Sequence, residues 1–177
     1  MIIGYLAVEH FETTPEYRAW SKLHHVKEIV SFDTCLCHRI FEYPEFDDSQ
    51  VFWPVNDCAW VYRNLDWLMD QLKGKRDYQI LAVIREPKPE TDCTGLLTSD
   101  GFRFYGYDLI EDKTEISALT NCGGFDDVFS PNEISEYGLI EDFNRAKEIQ
   151  IRLREEYPED DHADCALWAI WRWEPEL

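Results

Sequence analysis

LIEDFNRAKEIQIRLREEYPEDDHADCALWAIWRW, running from Leu139 to Trp173, sets a helical pattern against a strand pattern with a proline between them. Leu139, Phe143, Ala146, Ile149, Leu153 and Tyr157 recur at three and four residues. That spacing predicts an amphipathic helix over about 140–157, stopped by Pro158. Glu141 with Arg145 and Glu148 with Arg152 fall four residues apart, as favourable charge pairs on its wet side. Cys165 to Trp173 then reads as a strand, in which alternating Ala and Trp make a broad aromatic surface that needs a covering layer.

Working outward, Ser130-Pro131-Asn132-Glu133 is a capping box opening a short helix that Gly138 interrupts. Phe102–Tyr107 and Glu115–Leu119 flank Glu111-Asp112-Lys113 and read as a hairpin. Tyr78–Arg85 is an apolar run closed by Pro87 and Pro89, hence a buried strand. Val61, Leu65, Leu68 and Leu72 predict a helix over 60–72, with Gly74 at its left-handed end. Residues 2–8 read as a strand, Tyr17–Leu23 as a short helix and Cys35–Tyr43 as a strand. Strands at both ends with helices between them predict one α+β domain over residues 1–177, a mainly antiparallel sheet with helices packed on it.

The chain carries 36 Asp and Glu against 17 Lys and Arg, a net charge of −19 on 177 residues. Nucleic acids and anionic membranes are met by Lys and Arg clusters, so this balance speaks against both and favours a basic partner. The excess is concentrated: residues 1–107 carry 17 acidic and 11 basic side chains, and residues 108–177 carry 19 and 6. Asp126-Asp127, Glu155-Glu156 and Glu159-Asp160-Asp161 punctuate that second part. With 7 Trp, 9 Tyr and 10 Phe, the chain is too aromatic for a disordered acidic tail. The first residues lack the basic n-region and long apolar stretch of a signal peptide, and no run approaches a membrane span. A cytoplasmic location follows as the expectation, and the six Cys fit it as reduced thiols.

Two constellations bear on chemistry. Asn121-Cys122-Gly123-Gly124-Phe125 places a thiol among glycines, where backbone N–H groups can face an oxyanion. His162 as base, oriented by Asp164, then completes the outline of a thiol hydrolase. The acidic surroundings oppose it, because they hold a thiol in its protonated form. Cys35, Cys37 and His38, with His162 and Cys165, are metal-ligand types, but Cys-x-Cys on a strand does not curl round an ion. No metal and no cofactor is expected, and there is no glycine-rich phosphate loop.

Ile116–Phe125, Tyr137–Ile140 and His162–Cys165 lie in a chain that resembles the small acidic immunity proteins of bacterial contact-dependent and polymorphic toxin systems. The resemblance is one of type, in size, acidity, lack of a signal and aromatic content, and carries over no functional residue. It implies a protein without activity of its own that occludes the active site of a basic toxin, a nuclease above all. Glu111, Asp112, Asp126, Asp127, Glu159, Asp160 and Asp161 are the residues expected to meet the partner's Lys and Arg. A phage-type nucleic-acid mimic that blocks a host nuclease shares these expectations.

Overall fold

The computed structural model describes residues 3–41, 61–120 and 125–174. Its centre is an antiparallel sheet of four strands: β1 (Gly4–Glu9), β4 (Tyr78–Arg85), β5 (Phe102–Glu111) and β6 (Cys165–Trp173). Their order is β1-β4-β6-β5. Two short strands, β2 (Phe11–Glu12) and β3 (Glu28–Ile29), pair separately. Three helices complete the described residues: α1 (Pro15–Ser21), α2 (Leu65–Gln71) and α3 (Phe143–Glu156). The α+β class and the antiparallel sheet read from the sequence are thus present.

β6 lies between β4 and β5 and is covered on both faces, which resolves its Ala/Trp alternation. On one face Trp168 meets the edge of Phe32, with ring centroids 4.9 Å apart. On the other, Trp171 is fully buried against Phe104, and its indole N–H donates to the Cys93 carbonyl at 2.9 Å. α3 covers this second face, where Phe143 stacks edge-on to Tyr107 and Ala146, Ile149 and Leu153 are buried. The small alanines of β6 leave room for these large neighbours.

Four local expectations are corrected. Cys35–Tyr43 is not a strand over its described part. The Asp33 carboxylate accepts from the N–H groups of Cys35 (2.8 Å) and Leu36 (3.1 Å), which winds the chain into a turn instead. Residues 42 and 43 lie outside the described residues. The 60–72 helix starts only after Asn64, whose side chain caps Trp67 N–H; before it, Tyr62 pairs with Tyr5 along the sheet edge. Residue 60 lies outside the described residues, and Gly74 does adopt a positive φ of 84°.

The hairpin is also different. β5 runs on to Glu111 and takes β6 as its strand partner. Residues 115–119 form only a hook on it, through Glu111 N–H to Ile116 and Ala118 N–H to Leu109. Finally, α3 begins at its Asp142 cap, because Ile140 is held in the sheet by two hydrogen bonds with Tyr107 (2.8 and 3.0 Å). Gly106 allows this approach; a Cβ there would lie 2.8 Å from the Ile140 carbonyl oxygen. The capping box is present around Ser130 and Glu133, though the helix it opens is a single 3₁₀ turn, Pro131–Glu133.

A fully buried polar cluster joins the sheet to the chain around it. Asp108 on β5 accepts from Ser31 Oγ (2.5 Å), Ser117 Oγ (2.6 Å) and Leu109 N–H (2.7 Å). Asp33 accepts from Ser117 N–H at 2.8 Å. All four side chains, Ser31, Asp33, Asp108 and Ser117, are 0 % exposed. Burial first, with the charge of Asp33 adding to it, raises the Asp108 carboxyl from its usual range to about 6, against the pull of its hydroxyl donors.

A carboxyl raised on folding favours the native state below its unfolded value and disfavours it above the folded one. Wild type is therefore expected to gain up to about 3 kcal/mol relative to Asp108→Asn as pH falls from about 7 to 4. Urea unfolding of both proteins at the two pH values measures this difference. A difference that does not change with pH refutes the assignment.

Candidate protein-binding face

The C-terminal end of α3 gathers most of the acidic residues singled out above. Arg152 in its last turns donates to the carbonyls of Asp127 (2.7 Å) and Val128 (3.0 Å) and pairs with Glu156. Tyr157 OH donates to the Asp127 carboxylate at 2.6 Å. Phe125 lies edge-on to Tyr157 and also packs on His162, at 5.2 and 5.4 Å. Asp126 and Asp127 are thereby brought beside Glu159, Asp160 and Asp161, more than thirty positions away in the sequence. Asp126, Asp127, Glu159, Asp160 and Asp161 are all exposed.

Those residues do not have equal freedom. Asp160 caps the 3₁₀ turn Asp161–Asp164, accepting from His162 N–H at 2.9 Å. Asp126 pairs with Lys22 at 2.8 Å. The hydroxyl of Tyr157 holds the Asp127 carboxyl below its ordinary range. Among the described residues, Glu155, Glu159 and Asp161 make no ion pair.

Other cations of α3 are occupied, Arg145 by Glu133 and Glu148, Lys147 by Glu86 and Arg152 by Glu156, whereas Arg154 in its last turn makes no ion pair among the described residues. Neither of the two four-residue pairs read from the sequence forms among these contacts. The capping-box Glu133 reaches Arg145, and Arg152 turns toward the C-terminus.

Glu111 is placed elsewhere. It is 4 % exposed, accepts from Thr114 Oγ1, and faces Nδ1 of the buried His162. Its inward position is incompatible with surface contact by its carboxylate. The β5–β6 register, which sets Glu111 opposite Cys165, brings the two together. Asp112 next to it is half-buried and pairs with Arg85.

His162 therefore has Glu111, not Asp164, as its orienting carboxylate; Asp164 is exposed. His162 Nε2 has no hydrogen-bond partner among the described residues. Cys122 lies outside the described residues. Cys35 is exposed, whereas Cys37 and Cys165 are buried, and no group of three or more metal-ligand side chains converges among the described residues.

Trp20 on α1 is a surface feature that the sequence pattern does not single out. It is 60 % exposed and lies two residues before Lys22, which joins α1 to Asp126. Its position at the C-terminal end of a short helix with few apolar residues was the available signal. No helix among the described residues is long and apolar enough to cross a membrane. Comparison with protein-family models, with characterised proteins and with solved structures finds no match.

The division between inner and outer acids is measurable. Glu111→Gln is expected to cost about 2–4 kcal/mol of unfolding free energy, because it removes the buried carboxylate that His162 Nδ1 and Thr114 Oγ1 face. Glu159→Gln is expected to stay within about 0.5 kcal/mol of wild type. Equal losses in chemical denaturation would show that this division is wrong.

Proposed function

We propose that the protein is an acidic binding protein that inhibits a basic protein partner, an immunity-type protein that neutralises a bacterial nuclease toxin by occluding its active site. The observation that carries this reading is the cluster of unpaired carboxylates Glu155, Glu159 and Asp161 at the C-terminal end of α3. A helix C-terminus already carries partial negative charge, and cations are the side chains that stabilise it. Arg154 is the only basic residue in that last turn. Carboxylates placed there repel the helix end and one another, a local cost that a cationic partner removes on binding. A nuclease cleft is built to attract phosphates, so an acidic surface matches it and accelerates encounter.

A thiol hydrolase is the second reading, and one observation favours it: His162 faces a carboxylate through Nδ1 while Nε2 is unpartnered. The two side chains are nevertheless buried, as a structural pair would be. The readings part on Cys122. Alkylation at neutral pH is slow and unselective for an inhibitor, and fast and stoichiometric at that thiol for a hydrolase.

Affinity capture from the native host at ~150 mM salt tests the binding reading directly. Wild type is expected to retain a basic nuclease in stoichiometric yield and to inhibit it. Glu155→Lys/Glu159→Lys/Asp161→Lys is expected to bind that nuclease at least about a hundredfold more weakly; Asp160 is left intact because it caps a turn. Equal capture and equal inhibition by the two proteins would refute the proposed role of this end of the molecule.

A further inference from the structure

We infer that Asp33 and Asp108 form a proton-operated latch: a proton held by the pair fastens the 115–119 hook and the turn after Asp33 to β5, and its loss loosens both. The inference stands apart from the acidic-binding reading and concerns how one part of the fold opens.

The hook is docked largely through carboxylates. Ser117 N–H donates to Asp33 at 2.8 Å, and Ser117 Oγ donates to Asp108 at 2.6 Å. The carboxylate of Glu115, itself buried, pairs with Arg39, and its carbonyl accepts from Thr34 N–H at 3.0 Å. Thr34 Oγ1 donates to the Thr114 carbonyl at 2.9 Å, so hook and turn hold each other. Where the chain leaves β5, Glu111 accepts from Thr114 Oγ1 and faces His162. Ala118 and Leu119 are the buried apolar side chains of the hook. A segment with so little buried hydrocarbon opens at a lower free energy than the whole domain.

One serine joins the two carboxylates, and Ser31 Oγ closes the other side of Asp108 at 2.5 Å. Among the described residues Asp108 accepts only from these hydroxyls and from Leu109 N–H, with no cation beside it. Two carboxylates in one dry site resist double ionisation, so one keeps its proton where an exposed aspartate has lost it. The serine hydroxyls adapt by rotating, since each can accept as well as donate. Tyr17 from α1 and Cys37 from the turn are the other titratable groups near the pair. Burial above all raises both, so they stay neutral and supply no compensating charge.

Because folding raises the Asp108 carboxyl, docking is tightest below its unfolded range and weakens as pH rises through about 6. Neutral pH therefore leaves the latch in its looser state, and mild acid fastens it. The effect reaches beyond the hook. Thr120, the next residue, accepts from Tyr17 OH at 2.7 Å and so ties α1 to the same segment.

The test is amide hydrogen exchange of the full chain, corrected for intrinsic exchange rates. The amides of Ser117 and Ala118 are expected to be less protected than those of Leu81 and Val83 in β4. Their protection is expected to fall about tenfold between about pH 5 and about pH 7.5. Asp108→Asn keeps the shape and removes the charge, and is expected to abolish that fall. In wild type isotopically labelled at its aspartate carboxyls, one carboxyl is expected to titrate at about 6.

If Ser117 and Ala118 are as protected as Leu81 and Val83, the hook opens only with the whole fold and the latch is refuted. A tenfold fall that persists in Asp108→Asn refutes it as well. So does a wild type in which every aspartate carboxyl titrates below about 5, a result that does not depend on the variant folding.

Discussion

Two carboxylates with no access to water, Asp33 and Asp108, are the constraint around which the rest of the molecule is arranged. Moving such groups out of water is costly unless their lone pairs are met by donors. Ser31, Ser117 and the backbone of Cys35, Leu36, Leu109 and Ser117 supply those donors. To do so, the chain must turn after Phe32 and hook back beyond Glu111. The turn lays Phe32 against Trp168, and the hook carries Thr120 to Tyr17. One polar cluster thus joins one face of the sheet, the loop that covers it and the helix that displays Trp20.

Acidic residues serve two different purposes in this chain. Asp33, Asp108, Glu111 and Glu115 are buried and engaged with hydroxyls, backbone N–H groups, His162 or Arg39. They specify how segments dock. Asp126, Asp127, Glu155, Glu159 and Asp161 are exposed and gather at one end of α3, where the helix end also carries negative charge. On α3 itself Arg145 is held by Glu133 and Arg152 by Glu156, and Arg154 is the cation of the last turn without an ion pair among the described residues. The net charge of the whole is therefore less informative than its division, since only the outer group reaches the surface.

Elements with a self-sufficient local signal were legible. The apolar run of β4, the Ala/Trp strand β6, the three-and-four periodicity of α3 and the Ser130 capping box all occur where their patterns place them. Elements whose fate hangs on a distant group were not. Residues 35–41 have a strand-like composition, but Asp33 takes the N–H groups of Cys35 and Leu36, and only Arg39 and Ile40 beyond the turn meet β1. Ile140 has helical spacing, but Tyr107 takes its hydrogen bonds. Glu111 looked like a surface acid beside Asp112, although the β5–β6 register turns it toward His162.

By itself, the amino-acid sequence determined the α+β class, the main strands, the long helix and the large negative charge, because periodicity, capping and composition act over a few residues or none at all. Only the tertiary structure decided which acids are buried, which gather into a face, and that Trp20 is displayed while Trp168 and Trp171 are packed away. Those outcomes depend on strand register and on desolvation, and both are set by residues far apart in the chain.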